Sequence, residues 1–391
     1  MFYLTQAFAL ALALCLAPFA VAAPYIPGAD DAVLERLPER SDPSLREIKR
    51  LRAALDANPR DAALAVRLAR RAIEASRETG DPRFLGQAQA ALAPWWAQTD
   101  PPAAVLLLRA TIRQSFHDFP GSIADLDRLI ARSPADGQAL LTRATVLAVM
   151  GKYDEARTQC ERIARLTLPL VVAGCLAGPE SLTGKAEHAY TSLIDALAQA
   201  PGADAGLREW ALTLAAEIAH RRGDATLAER HFRAALSIDA RDPYLQAAYA
   251  DLMLDLRRPS EVVALLKDGT RNDSLLLRLA LAEARMPELR ADYDRHKADL
   301  AARFDAARRR GDALHRREEA RYTLELAREP TAALKLAREN WEVQREAADL
   351  RILVAAAVAA GDSAALQDAR RWVDGHRLED TVVKAALERK P

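Results

Sequence analysis

The sequence predicts an all-α protein built as a solenoid, and three observations support that prediction. A motif returns after a fixed interval, because Leu-Leu-Leu-Arg-Ala-Thr at 106–111 is followed 34 residues later by Leu-Leu-Thr-Arg-Ala-Thr at 140–145. Ala, Leu, Arg and Glu, which are strong helix formers, dominate the composition. Gly and Pro interrupt the helical pattern at short intervals, which argues against a continuous coiled coil. A unit of this length cannot bury its apolar face alone, so successive units must stack.

The amino-terminal residues have the pattern of a secretory signal peptide. Residues 2–23 contain no charged side chain, and an apolar run from Phe8 to Phe19 is followed by Ala-Val-Ala-Ala at 20–23. Small residues at that point are typical of a cleavage site. We therefore predict a signal peptide at residues 1–22 that is cleaved after Ala22, and a secreted or periplasmic protein.

Two alternatives to a cleaved signal peptide remain open at this point. One is a retained transmembrane anchor, although the apolar run is short for a bilayer span of about 20 residues. The other is lipidation at Cys15, although Leu14 stands directly before it, where bacterial lipoprotein signals have a small residue. No later segment of the sequence is apolar enough to span a bilayer.

A Pro-rich leader or linker is predicted at residues 23–44, because Pro fixes φ and lacks the N–H that a helix needs. The sequence allows one helical turn within it, near Asp31 to Leu37. From Leu45 the apolar residues recur with helical spacing. Residues 45–391 are therefore predicted to form a single solenoid.

Small residues mark the points where the two helices of each pair must approach closely. A larger side chain there would overpack the contact, at a cost of about 1–3 kcal/mol. These positions are Ala110, Ala144, Ala177, Ala216 and Ala250 on the first helices, and Ala156, Ala189 and Ala228 on the second helices. Glycines fall at the turns between the helices of a pair, where a positive φ ends the first helix at low cost. They are Gly151, Gly184, Gly223 and Gly361.

These columns resemble the tetratricopeptide repeat (TPR). The resemblance is strongest in the units 103–136, 137–168, 209–242 and the unit that begins at Pro243. Weaker units lie near 62–95, 170–203, 274–305, 314–345 and 347–380. The resemblance implies a right-handed α-solenoid of about eight to nine hairpins. It also implies a protein-interaction role without one fixed activity.

Four departures from the repeat pattern predict local irregularities. Arg257 replaces a turn glycine, and Ser122 replaces a small Ala. The first pair is lengthened, because its turn at Gly80-Asp81-Pro82 comes about four residues late. Pro287 begins a long second helix that extends as far as Arg308.

The charge balance and the motif search give no support for an enzyme, a cofactor or a metal site. The 55 basic residues equal the 55 acidic ones, whereas a nucleic-acid binder shows a basic excess or stripe. The loop 178–186 has five residues between its glycines and no hydroxyl residue after Lys185, so it does not match a phosphate loop. No two of the seven histidines have the spacing of a helical zinc motif. We therefore predict no enzyme activity, no cofactor, no metal and no nucleic-acid partner.

Two cysteines remain in the predicted mature chain, Cys160 and Cys175. They fall on neighbouring helices of successive units, which touch there. In an oxidising compartment a disulfide between them would be stable. Two buried free thiols would serve equally well as small apolar side chains, so the sequence leaves both alternatives open.

The TPR resemblance implies that the first helices line a concave groove in which peptides or protein segments bind. Aromatic residues interleaved with carboxylates on such a wall suit an extended peptide with some basic character. An ordinary hydrated surface is the alternative for each of these residues. The candidate partner-binding residues are Trp210, Glu217, His220, Arg221, Tyr244, Asp251, Asp255, His315, Glu318, Tyr322 and Glu325.

The predicted function is a non-enzymatic scaffold of the bacterial cell envelope that binds a protein or peptide segment in its concave groove. One alternative is a TPR platform within an envelope enzyme or a polysaccharide assembly system. A purely structural spacer is the other alternative. A spacer would show no clustering of aromatic and charged residues along one helix face.

Overall fold

All regular secondary structure in the described residues is helical, as the composition predicts. The structure is a computed structural model that describes residues 43–311 and 316–388. The predicted signal peptide at 1–22, residues 23–42 of the predicted leader, and His315 lie outside the described residues.

Twenty-one α-helices follow one another along the described chain. They are α1 (Pro43–Ala57), α2 (Ala62–Thr79), α3 (Arg83–Ala91), α4 (Ala93–Trp96), α5 (Ala103–Ser115), α6 (Phe119–Arg132), α7 (Gly137–Val149), α8 (Tyr153–Arg162), α9 (Pro169–Ser181), α10 (Ala186–Ala198), α11 (Ala205–Arg222), α12 (Ala225–Leu236), α13 (Pro243–Asp255), α14 (Pro259–Leu266), α15 (Asp273–Glu283), α16 (Arg290–Arg309), α17 (Arg316–Glu325), α18 (Pro330–Val343), α19 (Ala347–Ala360), α20 (Ser363–His376) and α21 (Thr381–Glu388).

The helices pair into nine successive hairpins, α2/α3, α5/α6 and then every two helices from α7/α8 to α19/α20. Each hairpin packs against the next one along the chain. The prediction of an all-α solenoid is therefore confirmed. Helix α1 precedes the first hairpin, and the short α4 lies between the first two. Helix α21 follows the last hairpin and was not predicted from the sequence.

Acidic and amide side chains begin many of these helices. A side-chain oxygen in front of a helix accepts hydrogen bonds from backbone N–H groups that have no partner within the helix. The residues that cap helices in this way are Asp61, Asp118, Asp136, Asp204, Asp224, Asp242, Asn272 and Asp362.

Left-handed residues end the first helices, as the repeat pattern predicts. The φ angles of Gly151, Gly184, Gly223 and Gly361 are 75°, 76°, 86° and 67°. Arg257, which stands where the pattern has glycine, takes the same conformation with φ 57°. A non-glycine residue pays a steric cost there. The left-handed turn is therefore present even where the sequence lacks the glycine of the repeat pattern.

The columns of small residues lie in the contacts between paired helices, as predicted. All eight alanines of the two columns have exposed fractions between 0% and 3%. The larger residues that fill the space between pairs, such as Leu126 and Phe232, are fully buried. Ser122, the departure from the column, is also fully buried, and its hydroxyl donates to the carbonyl of Ala110 at 2.9 Å.

Two predicted boundaries differ from the structure. The helical region begins at Pro43 rather than Leu45, because Pro is tolerated in the first turn of a helix. The long second helix predicted from Pro287 begins with a 3₁₀ turn at Pro287–Leu289, and the α-helix runs from Arg290 to Arg309.

Candidate functional site

Seven of the predicted site residues lie on α11 and α13, and hydrogen bonds connect the two helices. We call them the α11–α13 wall: Trp210, Glu217, His220, Arg221, Tyr244, Asp251 and Asp255. The Tyr244 hydroxyl donates to Glu217 Oε1 at 2.6 Å, and His220 Nε2 lies 2.9 Å from Asp255 Oδ2. Burial raises the pKa of Glu217, and the Glu217 carboxylate raises the pKa of Tyr244. Because Tyr244 remains 58% exposed, the wall presents an accessible aromatic ring beside a carboxylate.

Two residues of the wall contact α9, the first helix of the preceding hairpin. The Arg221 guanidinium donates to Ser181 Oγ at 2.7 Å. The Trp210 ring lies against Gly174, so closely that a Cβ at this glycine would overlap the ring. The wall is therefore held in place by the helix on its amino-terminal side.

Two arginines neutralise Asp251. Arg278 of α15 donates to Asp251 Oδ2 at 2.7 Å, and Arg321 of α17 donates to Oδ1 at 2.6 Å. Burial alone would raise the pKa of Asp251, but the two guanidinium groups outweigh it and hold that pKa well below its usual value. Asp251 is therefore an ionised carboxylate that accepts guanidinium N–H groups from two other hairpins.

Asp255 also accepts a hydrogen bond from a distant arginine. Arg351 of α19 places Nη1 3.3 Å from Asp255 Oδ2 and Nε 2.8 Å from Asp380 Oδ2. Asp380 in turn accepts from the backbone N–H of Val383 at 3.1 Å, which caps α21. Among the described residues, Arg351 Nη2 is buried without a hydrogen-bond partner. This arginine therefore joins the wall to the start of α21, while its Nη2 has no acceptor.

The predicted residues of α17 lie on the helix that carries Arg321, and each has a partner within the chain. Glu325 accepts from Arg321 at 2.9 Å. The Tyr322 ring packs against Phe304 of α16 with centroids 5.4 Å apart, and Glu318 lies 3.6 Å from Arg317. Their role in binding a partner stays a prediction.

An aromatic cluster that sequence reasoning missed joins the hairpin α7/α8 to the carboxy-terminal helices. Tyr153 of α8 has ring contacts with Trp372 at 6.3 Å and His376 at 5.2 Å. Trp341 packs edge-on against Trp372 at 5.2 Å. The Tyr153 hydroxyl donates to the carbonyl of Arg345 at 3.1 Å.

The repeat period indicates which acidic and which basic residues hold equivalent positions, but it does not indicate which of them come into contact. Glu217 and Asp251 are 34 positions apart, and so are Arg317 and Arg351. Such spacing puts equivalent acids and equivalent bases on first helices. It does not show that hairpins far apart in sequence meet, so the contacts of Arg321 and Arg351 with the wall could not be predicted.

The structure has a disulfide between the two cysteines, which is one of the two alternatives that the sequence leaves open. Their sulfur atoms are bonded, and the Cα atoms of Cys160 and Cys175 lie 5.6 Å apart. The bond connects α8 to α9 and thus one hairpin to the next. Within the described ranges, no three His, Cys, Asp or Glu side chains converge where they could hold a metal ion. In residues 43–311 and 316–388, every helix is too short or too polar to cross a bilayer.

No known family model matches this chain, and neither does any curated protein sequence. Several solved structures are similar to it, among them the following three. A Rap protein complexed with competence and sporulation factor has a TM-score of 0.44 and 12% identity, covering 88% of this chain and 94% of that chain. A tetratricopeptide repeat protein from Parabacteroides merdae has a TM-score of 0.38 and 13% identity, covering 74% and 98%. For the APC/C hetero-tetramer Cut9–Hcn1 the TM-score is 0.43 and the identity 14%, covering 80% of this chain and 52% of that chain, so this chain spans about half of its length.

Proposed function

We propose that this protein is a non-enzymatic scaffold of the bacterial cell envelope that binds a protein or peptide segment against the α11–α13 wall. The observation that carries the proposal is Tyr244. This residue is 58% exposed although its hydroxyl donates a hydrogen bond to Glu217. Fixed aromatic rings with little freedom to lose on binding are favoured at protein interfaces.

The charge of the wall favours a peptide with basic character. The carboxylates of Glu217, Asp251 and Asp255 lie on one pair of helices. Two of them already accept hydrogen bonds from arginines of this chain. A basic segment would meet the exposed carboxylate of Asp255 and the exposed Tyr244 on the wall.

Two observations support an envelope location. The first 22 residues have the pattern of a signal peptide. The bond between Cys160 and Cys175 is of a kind that persists in oxidising compartments and is rare in the cytosol. The non-enzymatic part of the proposal rests on the hairpins, which take up nearly all of the described chain.

Affinity capture from an envelope extract tests the proposal. The full mature chain, immobilised through a terminal tag, is expected to retain at least one protein reproducibly. Tyr244→Ala should weaken binding about thirtyfold and reduce that retention accordingly, since truncation of a buried interface aromatic costs on the order of 2 kcal/mol. The matched control is Tyr293→Ala, because Tyr293 lies on the second helix α16 and outside the wall. Equal loss in both variants, or no reproducible partner, would contradict the proposal.

A further inference from the structure

The carboxy-terminal segment crosses the turns of three successive hairpins. We call residues 345–388 the C-terminal arm. A Cβ added at Gly151 would lie 2.7 Å from Trp372 Cη2, and one at Gly184 would lie 2.9 Å from Arg377 Cβ. At Gly223 the nearest atom is Thr381 Cγ2, at 3.2 Å. The turn glycines of the hairpins α7/α8, α9/α10 and α11/α12 therefore have two roles. They take the positive φ of the turn, and their lack of a side chain leaves room for the arm.

Hydrogen bonds fasten the arm at both ends of this path. At its start, the backbone N–H of Arg345 donates to the carbonyl of Val149 at 2.8 Å. Near its end, the Thr381 hydroxyl donates to the carbonyl of Arg221 at 3.2 Å. The contact with Arg221 places the beginning of α21 beside the α11–α13 wall. The arm is thus docked against a surface far from it in sequence.

The arm also places an arginine on the wall. Arg351 donates to Asp255 at 3.3 Å, while the neighbouring Asp251 accepts from Arg321 of α17 at 2.6 Å. The two aspartates that were predicted to bind a partner therefore hold guanidinium groups of this chain. The chain itself indicates which chemical group the wall accepts.

The contact between Arg351 and Asp255 has features of an interaction that a partner could replace. The side chain of Asp255 is 41% exposed, and the His220 ring holds its second contact. One nitrogen of Arg351 is buried without a partner. Helix α21 has eight residues and packs against α19 and α11 outside any hairpin, and Val382 on it is 40% exposed.

We propose that the wall binds arginine-bearing peptide segments through Asp255, and that the C-terminal arm is the intramolecular occupant that such a segment displaces from this carboxylate. This inference rests on the proposed function and adds the class of partner and its regulation. An arginine of the partner replaces Arg351 at Asp255, because a planar guanidinium matches a carboxylate better than an ammonium does. The exposed Tyr244 ring then lies beside the incoming segment.

A reversible lock tests the displacement. In the full mature chain, Gly223→Cys with Thr381→Cys introduces two thiols at facing positions. A Cβ added at Gly223 would lie 3.7 Å from Thr381 Cβ, a distance that suits a disulfide. The probe is a fluorescein-labelled peptide of alternating arginine and alanine, and binding is measured by fluorescence anisotropy. A lysine–alanine peptide of equal length is the matched probe. Each single cysteine variant is a control for the strain at Gly223.

The expected result is binding at least tenfold weaker in the locked form than in the single variants, restored when the engineered disulfide is reduced. Mass spectrometry verifies that Cys160 and Cys175 remain bonded during this reduction. The lysine peptide is expected to bind several-fold more weakly than the arginine peptide. An independent variant, Arg351→Ala, should bind the arginine peptide about fivefold more tightly than the unmodified chain.

Equal binding by the locked and reduced forms would overturn the displacement and leave the proposed function intact. Weaker or unchanged binding by Arg351→Ala would overturn it as well. If no form bound the arginine peptide while envelope proteins were still captured, the assignment of the partner class would be wrong. If no form retained either peptide or protein, the proposed function would fail and this inference would fail with it.

Discussion

Two arginine junctions in this molecule differ in how fully their donors are used. At the amino-terminal junction, Arg109 is 2% exposed and Asp125 is 0% exposed. Arg109 donates to the two oxygens of Asp125 at 2.8 and 2.7 Å. Its Nη1 donates to the carbonyls of Trp95, Trp96 and Gln98 at 3.2, 2.6 and 2.9 Å. Every nitrogen of this guanidinium therefore has an acceptor.

At the carboxy-terminal junction, Arg351 contacts Asp255 and Asp380 but leaves Nη2 without a partner. An unsatisfied buried donor costs about 1–3 kcal/mol. The first junction joins helices that are neighbours in sequence, and the second joins the arm to a wall almost a hundred residues away. The Arg109 junction thus satisfies every nitrogen of its guanidinium, whereas the contact of Arg351 with the wall leaves one buried nitrogen unsatisfied and is the weaker of the two.

The largest expected effect is at the amino-terminal junction. Asp125→Ala leaves Arg109 buried without its counter-charge and should lower the free energy of unfolding by about 3–5 kcal/mol. Urea unfolding followed by circular dichroism measures it. The control is Asp127→Ala, which removes a 54% exposed partner of Arg143 and should cost about 1 kcal/mol or less. Equal losses in the two variants would remove the distinction drawn between buried and exposed pairs.

Next in size is the covalent junction between α8 and α9. Replacing Cys160 and Cys175 together by Ser should lower the free energy of unfolding by roughly 3 kcal/mol, because the bridge closes a short loop in the unfolded chain. Denaturant unfolding of the variant gives the loss. Mass spectrometry of the unreduced, thiol-alkylated protein gives the pairing, and two alkylated cysteines would refute the bridge.

The turn glycines provide a matched test of the docked arm. Gly151→Ala and Gly361→Ala both place a side chain at a positive φ, which costs about 1–2 kcal/mol. Of these two glycines, only Gly151 has arm residues against it, Trp372 and Arg345; nothing lies within 4 Å of a Cβ at Gly361. Gly151→Ala should therefore lose about 1 kcal/mol more than Gly361→Ala in thermal or urea unfolding, as expected for mild overpacking. Identical losses would mean that the arm does not press on this turn.

The sequence predicts the hairpins well because each depends on local or neighbouring residues. The positions of Ala216 and Gly223 follow from one repeat period, and both have the predicted role. The candidate wall is also recognisable, since Glu217 and Asp251 recur at that period. The docking of Arg351 on Asp255 could not be predicted. It depends on how small rotations between hairpins accumulate along the array, and no local pattern encodes that sum.

The smallest effect is the pH dependence from Asp251. Its pKa in the folded protein is lowered by Arg278 and Arg321, against the effect of burial, below the ordinary value of 3.8. The contribution of this group to stability is therefore fully present above pH 3.8 and is lost as the pH falls through the folded pKa. In urea unfolding from about pH 6 down to about pH 2.5, Asp251→Asn should show a shallower loss of stability at the acidic end. An unchanged slope would show that Asp251 is not held by the two arginines.

Native-state hydrogen exchange of the full mature chain, read by mass spectrometry, tests most directly whether the C-terminal arm can be displaced. Amides of α21 are expected to exchange through a local opening of lower free energy than the global unfolding that exposes α6. Arg351→Ala is expected to speed exchange in α21 and to leave α6 unchanged. Exchange of α21 and α6 at the same opening free energy, in both proteins, would contradict the claim that the arm is a separately displaceable occupant.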